Sequence, residues 1–143
     1  MITPDANIIL YAYNEDALKH FEAKKWLEKQ LSQPAIFGLS WQVITAFLRI
    51  STNPKAFPQP FNLAEVIEIV TEWLEHPSIE ILTPTSQHWT IFQTLIVEGN
   101  TKAALMMDAH LAALAIEHGA ILATTDSDFA KFSRIKTINP LLP

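Results

Sequence analysis

The sequence has 143 residues, of which 49% are hydrophobic, and its formal net charge is −5. This length and apolar content predict one globular domain, residues 1–143, and exclude an intrinsically disordered chain, while the negative charge excludes nucleic-acid binding through bulk positive charge. The absence of cysteine excludes disulfide bonds and thiolate metal sites, and because no apolar run approaches the ~18 residues of a membrane span, we expect a cytoplasmic protein without membrane association.

The N-terminal part of the chain predicts two strands and at least one helix. MITP, at 1–4, is a short apolar strand, and Asp5 follows it. The run NIILYAY at 7–13 fits either a strand or a helix, as short apolar runs often do. Residues 15–31 place apolar side chains at helical spacing among charged ones, which predicts an amphipathic helix. The run at 35–40 predicts a buried strand.

The middle of the chain predicts two apolar helices separated by a loop. Residues 41–51 form the first helix, and it ends before a loop at 51–60 that contains three prolines. Apolar residues at 63–75 recur at i, i+3, i+4 and i+7, the pattern of an amphipathic helix. Asn62 precedes that helix as its predicted cap, and Glu65 stands where a capping box places its acid.

The C-terminal half alternates strands with helices. Its predicted elements are a strand at 78–82, a helix at 86–98, a helix at 108–118, a buried strand at 120–125 and an edge strand at 134–139. Ser86 is the expected cap of the first of these helices, and Gly119 is expected to end the second. The alternation predicts an α/β fold around a central, mainly parallel sheet.

Four aspartates fall at one predicted edge of this sheet. Asp5 follows the first strand, and Asp126 and Asp128 follow the strand at 120–125. Asp108 begins the helix that leads into that strand, and a right-handed connection returns its start to the same edge. Converging carboxylates repel one another unless a cation neutralises them, and Mg²⁺ or Mn²⁺ suits such ligands. The pattern therefore favours a metal site able to support phosphodiester hydrolysis.

Each of these acids also has a structural alternative. Asp108 fits the N-cap of its helix, and Asp5 fits a turn or a cap. Asp126 and Asp128 fit an Asx-turn at the exit of a strand. A D-x-D pair after an apolar strand also occurs in the nucleophile loop of phosphatases, but there it follows the first strand, whereas here it lies near the C-terminus. The agreement of all the acids on one edge favours the metal site.

Several longer segments carry a more specific pattern. They are PDANIILYA (4–12), WQVITAFLRISTNPKAF (41–57), DAHLAALAIEHGAILATTDSDFAKF (108–132) and INPL (138–141). Together they resemble the PIN-domain ribonucleases of the VapC toxin type over essentially the whole chain. The resemblance implies a three-layer α/β/α fold with a short, mainly parallel sheet, and it implies a helix at 7–13. It also implies Mg²⁺- or Mn²⁺-dependent cleavage of RNA by the toxin of a type II toxin–antitoxin pair, a cognate antitoxin as partner, and a homodimer.

The resemblance also assigns roles to individual residues. The implied metal ligands are Asp5, Asp108 and Asp126, and Asp128 is the implied supporting acid of the catalytic cluster. The candidates for support or phosphate contact are Asn7, Arg49 and Thr124. Arg49 is included because its planar guanidinium fits a phosphate, although a lone arginine on a helix is also a routine surface residue.

One residue departs from the family pattern. The family usually carries a glutamate in the helix after the second strand, and Ala46 stands at that position here, with no acid from 32 through 64. A catalytically weak PIN-like module that binds RNA or a partner is therefore the alternative function. The tryptophans of the chain lie on different predicted helices, so we expect each to pack in the core or against a partner. The helices at 41–51 and 63–75 are candidate dimer or antitoxin surfaces.

Overall fold

The computed structural model describes residues 1–142, which form a five-stranded sheet and six α-helices. The strands are β1 (Ile2–Pro4), β2 (Phe37–Leu39), β3 (Ile79–Ile81), β4 (Ile121–Ala123) and β5 (Thr137–Ile138). The helices are α1 (Ala6–Tyr13), α2 (His20–Leu31), α3 (Trp41–Ser51), α4 (Leu63–Glu75), α5 (His88–Glu98) and α6 (Leu105–Glu117), and a 3-10 helix spans Ser127–Lys131. Within residues 1–142, no helix has both the length and the apolar character that a membrane crossing requires.

All neighbouring strands of the sheet run parallel, in the order β3-β2-β1-β4-β5. The chain moves outward from β1 to β3 through α1–α4 and then returns to β4 through α5 and α6. Right-handed crossovers place these two groups of helices on opposite faces of the sheet. The predicted three-layer α/β/α fold is therefore confirmed. The direction of winding reverses between β1 and β4, and a crevice opens at such a point beyond the carboxyl ends of the strands.

Close packing of the sheet against the helices gives the crevice a fixed position. Each strand is only two or three residues long, and the central ones are buried. A Cβ on Gly38 of β2 would lie 2.7 Å from Cδ1 of Leu82, so this close approach needs glycine. On one face, the rings of Phe47 and Trp73 lie 4.7 Å apart, and Trp73 Nε1 donates to the Tyr13 hydroxyl at 3.0 Å. These contacts fix α1, α3 and α4 relative to one another.

Several predicted boundaries are confirmed by local hydrogen bonds and backbone geometry. NIILYAY lies within α1, which settles the ambiguous run as a helix. Asn62 and Glu65 form the predicted capping box: the Glu65 N–H donates to Asn62 Oδ1 at 2.8 Å, and the Asn62 N–H donates to Glu65 Oε1 at 3.1 Å. Gly119 follows α6 with a φ of 66°, a left-handed conformation that ends helices and that glycine adopts without strain.

Three predicted helix starts are wrong. The helix predicted from residue 15 begins at His20, because Asn14 Oδ1 accepts from the Asp16 N–H at 3.1 Å and holds the preceding residues in turns. The helix predicted to be capped by Ser86 begins at His88 without a side-chain cap. The helix predicted from Asp108 begins three residues earlier, at Leu105. Each strand is also shorter than the run of residues predicted for it, since the ends of each run lie beyond the hydrogen-bonded part of the sheet.

Candidate active site

The carboxyl ends of β1 and β4 place Asp5 beside Thr124. Asp5 directly follows β1, and its N–H donates to the Ala123 carbonyl of β4 at 2.8 Å. The hydroxyl of Thr124 donates to Oδ2 of Asp5 at 2.9 Å, and the Ala6 N–H donates to Oδ1 at 2.7 Å. Both oxygens of Asp5 are therefore held, so the carboxylate has one orientation at the start of α1. Asn7, two residues after Asp5, is the second residue of α1, and its side chain is exposed.

A chain of hydrogen bonds continues from Thr124 into the D-x-D segment. The Asp126 N–H donates to Oγ1 of Thr124 at 3.0 Å, and the Asp128 N–H donates to Oδ1 of Asp126 at 2.8 Å. The second bond is the predicted Asx-type turn, and it starts the 3-10 helix at Ser127–Lys131. The turn uses one oxygen of Asp126, so the structural role and a ligand role are compatible.

Asp108 reaches the same edge from α6. It lies in the first turn of that helix, and the residue at the N-cap is Ala104, which makes no side-chain capping bond. The alternative in which Asp108 caps its own helix is therefore wrong. Its carboxylate is half-buried and is left to interact with the other acids.

The carboxylates of Asp108, Asp126 and Asp128 converge. Each offers one oxygen, and these oxygens lie within 4.8 Å of one another. Burial, followed by repulsion from Asp126 and Asp5, raises the pKa of Asp108 to about 6. Burial also raises the pKa of Asp5, and repulsion from Asp126 adds to the rise, while hydrogen bonds from Thr124 and Ala6 oppose it. Such mutual repulsion is relieved when a cation lies among the acids.

Asp5 and Asp128 occupy different places in this arrangement. Asp128, predicted as a supporting acid, is part of the three-oxygen cluster. Asp5, predicted as a ligand, borders the cluster and is coupled to it by charge. We call Asp108, Asp126 and Asp128 the acidic cluster.

The residues from 2 to 135 match the family model described as the PIN domain. The chain belongs to the PIN-domain family. Ribonuclease VapC37 of Mycobacterium tuberculosis is 38% identical over 136 residues, covering 95% of this chain and 94% of that protein. Ribonuclease VapC33 of the same species is 34% identical over 141 residues, covering 99% of both chains. The crystal structure of VapBC2 from Rickettsia felis, bound to a DNA fragment from their promoter, aligns with a TM-score of 0.68 at 17% identity, covering 96% of this chain and 98% of that one.

A groove of about 470 Å³ lies between α3 and α6 of this PIN domain. Residues of α3 and α6 line it: Trp41, Gln42, Thr45, Ala46, Arg49, Met107 and His110. Met107 directly precedes Asp108 in α6, so the groove and the acidic cluster use neighbouring residues of the same helix. Ala46, which stands where the family usually carries glutamate, faces this groove, and Arg49 is exposed along it. We call this feature the α3–α6 groove.

Gln42 bridges the two walls of the α3–α6 groove. Its Nε2 donates to the Met107 carbonyl at 3.0 Å, and its Oε1 lies 2.7 Å from Nδ1 of His110. Since the amide nitrogen already donates to Met107, Oε1 is the acceptor and Nδ1 of His110 is the donor. Burial, followed by the nearby His88, lowers the pKa of His110 and favours this neutral ring. The bridge holds the residues on either side of Asp108.

Sequence reasoning did not identify Gln42. Its partners lie 65 and 68 residues away in the chain, and no local spacing signals such a bond. A second pair was also missed: His88 Nδ1 lies 2.7 Å from Oε2 of Glu117, whose side chain is 1% exposed. This pair ties the start of α5 to the end of α6, so it supports the helix that carries Asp108.

Proposed function

We propose that this PIN-domain protein is a metal-dependent endoribonuclease that cleaves RNA phosphodiester bonds as the toxin of a type II toxin–antitoxin pair. The observation that carries the proposal is the convergence of three carboxylates from α6 and the β4 exit, with Asp5 held alongside. The two Mycobacterium tuberculosis relatives, which match over nearly their whole length, are named ribonucleases. The position of the cluster at the winding reversal of the sheet is the expected position for an active site.

The donor set of the acidic cluster fits Mg²⁺ or Mn²⁺. Asp108, Asp126 and Asp128 offer only carboxylate oxygens, and these hard ligands, completed by water, suit both ions. When bound, such an ion supplies positive charge that polarises a phosphodiester and favours loss of a proton from water. Asp5, already fixed by two hydrogen bonds, adds negative charge beside the ion.

The remaining residues orient these acids. Thr124 links Asp5 to the D-x-D segment by donating to one acid and accepting from the backbone of the next. Gln42 secures the first turn of α6, and with it the backbone of Asp108. Ligands held in this way lose little freedom when an ion binds, which favours affinity and a fixed geometry.

Removal of divalent ions is expected to stop RNA cleavage. Purified protein, separated from any partner, should cleave a pool of total tRNA and rRNA in Mn²⁺ or Mg²⁺ because the phosphodiester needs the charge of the ion. EDTA should reduce the rate to background, and excess Mn²⁺ should restore it. Asp16→Asn, an exposed acid outside the acidic cluster, is the matched control and should cleave normally. Cleavage that continues unchanged in EDTA would contradict the proposal.

The alternative function is a catalytically weak module that binds RNA or a partner. It is motivated by Ala46 and by the lack of any acid from 32 through 64. Calorimetric titration of the protein with Mn²⁺ separates the two functions. Binding at micromolar to low millimolar concentration supports the enzyme, whereas no heat of binding at millimolar concentration supports the weak module.

We also propose that the protein forms a homodimer and binds a cognate antitoxin. The supporting feature is an apolar stripe on α4, where Leu63, Ile67 and Leu74 are 71%, 61% and 45% exposed. Of the two helices considered as partner surfaces, α4 is the one with this stripe, whereas the exposed positions of α3 face the α3–α6 groove. Scattered exposed apolar residues are ordinary, but a stripe at helical spacing is typical of an interface.

Substitution Ile67→Glu is expected to break one of these assemblies. A charge in the centre of an apolar contact is strongly unfavourable. Light scattering after gel filtration would measure the mass of the chain alone and of the chain expressed with its antitoxin. If the variant is a monomer that still binds the antitoxin, the stripe belongs to the homodimer interface. If it is a dimer that no longer binds the antitoxin, the stripe belongs to the antitoxin interface. Glu72→Gln on the same helix is the control, and an Ile67→Glu variant with both assemblies intact would contradict the assignment.

A further inference from the structure

We infer that the α3–α6 groove is a nucleotide subsite, in which the face of Trp41 stacks on an RNA base and Arg49 contacts the adjoining phosphate. This inference rests on the proposed ribonuclease function and extends it to the recognition of substrate. The groove and the acidic cluster share α6, since Met107 and His110 line the groove and Asp108, between them in sequence, belongs to the cluster. Its volume of about 470 Å³ falls within the ~300–1,000 Å³ range of small-ligand sites.

Trp41 has the exposure that base stacking requires. Trp73 is 5% exposed and lies in the core, whereas Trp41 is 52% exposed at the first residue of α3. Its backbone position is fixed because the Ser40 hydroxyl caps α3 by accepting from the Val43 N–H at 3.2 Å. An exposed aromatic face on a rigid helix end binds any base by stacking. Of the two predicted alternatives, packing in the core is therefore wrong for Trp41, and packing against a partner stays a prediction.

The charge of the α3–α6 groove suits a phosphate. Arg49 is exposed and, within residues 1–142, forms no salt bridge with a carboxylate. Among residues 1–142, no acid lines the groove, and Arg49 places a guanidinium charge along it. A planar guanidinium binds phosphate through two parallel hydrogen bonds. The phosphates of an RNA strand, which the acidic cluster repels, are therefore attracted by Arg49 in the α3–α6 groove.

Ala46 gives the nucleotide its room. A glutamate at this position would add both bulk and negative charge to the groove that Ala46 lines. Alanine removes the repulsion that such a carboxylate would exert on phosphate. Alanine in place of the usual family glutamate thus removes a candidate metal ligand and, at the same position, favours binding of a nucleic-acid strand.

The groove is formed before any ligand arrives. The side chain of Gln42 holds Met107 and His110 by hydrogen bonds of 3.0 and 2.7 Å, so the two walls keep their separation. The ring of His110 also packs edge-on against Phe92, with ring centroids 5.7 Å apart. A site that does not need to reorganise loses less free energy on binding.

The test compares two exposed tryptophans. Trp89 of α5 is 63% exposed and lies outside the groove, so Trp89→Ala is the matched control for Trp41→Ala. Binding of a fluorescein-labelled, 12-nucleotide single-stranded RNA is measured by anisotropy in EDTA, where metal-dependent cleavage is absent. We expect Trp41→Ala to weaken binding about ten-fold or more, the scale of one lost base stack, and Trp41→Phe to retain most of it. Trp89→Ala should stay within two-fold of wild type.

The arginine contact has an independent readout in the salt dependence of binding. The plot of log K against log salt has a negative slope, and each lost phosphate contact to a single strand makes that slope less steep by ~0.7. Arg49→Ala should show this change, and Arg49→Lys should restore the slope, because a lysine still neutralises one phosphate. A merely structural arginine would leave the slope unchanged.

The outcomes separate the subsite from the proposed function. No measurable binding by wild type, equal binding by Trp41→Ala and Trp89→Ala, or unchanged salt slopes would each overturn the subsite. So would loss of antitoxin binding by Trp41→Ala with RNA binding intact, since the groove would then be a protein-binding surface. Failure of the ribonuclease proposal appears elsewhere, as absence of cleavage by wild-type protein in Mn²⁺.

Discussion

Asp108→Asn is expected to abolish RNA cleavage while making the metal-free protein more stable. The variant removes one of three converging carboxylates, so affinity for the ion falls and the charge that polarises the phosphodiester is lost. We expect cleavage of the tRNA and rRNA pool in Mn²⁺ to fall by about a thousand-fold or more, measured as initial rates. Asp16→Asn, prepared in parallel, controls for contaminating nuclease and should retain the wild-type rate.

The gain in stability follows from the pKa of Asp108. Its pKa rises from 3.8 to about 6 on folding, mainly through burial, so at neutral pH the folded state holds a charge that it disfavours. One pKa unit corresponds to ~1.4 kcal/mol, and solvent screening of this partly exposed group reduces the sum. We expect Asp108→Asn to raise the free energy of unfolding at pH 7.5 by on the order of 1–2 kcal/mol, or roughly 2–4 °C in Tm for each kcal/mol.

The pH dependence of this gain has a definite sign. Between pH 3.8 and about 6 the folded state binds more protons at Asp108 than the unfolded state does, so wild-type stability falls as pH rises through this range. The advantage of the asparagine should be full above pH 6 and should disappear near pH 4. Calorimetry in EDTA at both pH values measures it. The electrostatic cause would be contradicted if Asp108→Asn were less stable than wild type at pH 7.5. It would also be contradicted if the variant exceeded wild type in free energy of unfolding by the same amount at both pH values.

The sheet edge could be predicted from sequence because parallel strands allow few arrangements. Asp5 and Asp126 each follow a short apolar run, and parallel pairing of β1 with β4 brings the ends of those runs together whatever the helices do. The capping box at Asn62 and the glycine end of α6 could be predicted for a different reason, since each depends on a few adjacent residues. Predictions of this second kind succeed because the deciding interaction lies within about one turn of the chain.

The remaining features depend on helix starts and turns that residue spacing does not specify, or on contacts between distant residues. The start of α6 at Leu105 was missed because its N-cap residue, Ala104, is not a capping type and the helix begins without a side-chain cap. Whether Asp128 joins the acidic cluster depends on the 3-10 turn after β4, which the D-x-D spacing does not specify. The bond from Gln42 to Met107 and the exposure of Trp41 are consequences of how α3 meets α6, which no window of sequence contains.

Ala46→Glu is expected to change metal binding and RNA binding in opposite directions. The new carboxylate would enter the α3–α6 groove, which Met107 also lines one residue before Asp108, and we expect it to add an anionic ligand for a cation and to repel a phosphate. We expect the affinity for Mn²⁺, measured by calorimetry, to rise on the order of ten-fold, because affinity for such ions follows the number of charged ligands. In EDTA, anisotropy should show binding of the 12-nucleotide RNA weakened several-fold.

Ala46→Gln separates the charge of the new side chain from its bulk. Glutamine fills the same space without a formal charge, so it should leave Mn²⁺ affinity close to that of wild type and weaken RNA binding only through lost room. If glutamine and glutamate have equal effects on Mn²⁺ binding, the position does not face the ion, and the absence of the usual family acid has no bearing on the metal. If only glutamate tightens Mn²⁺ and also weakens RNA more than glutamine does, one side chain at position 46 sets the balance between holding an ion and holding a nucleotide.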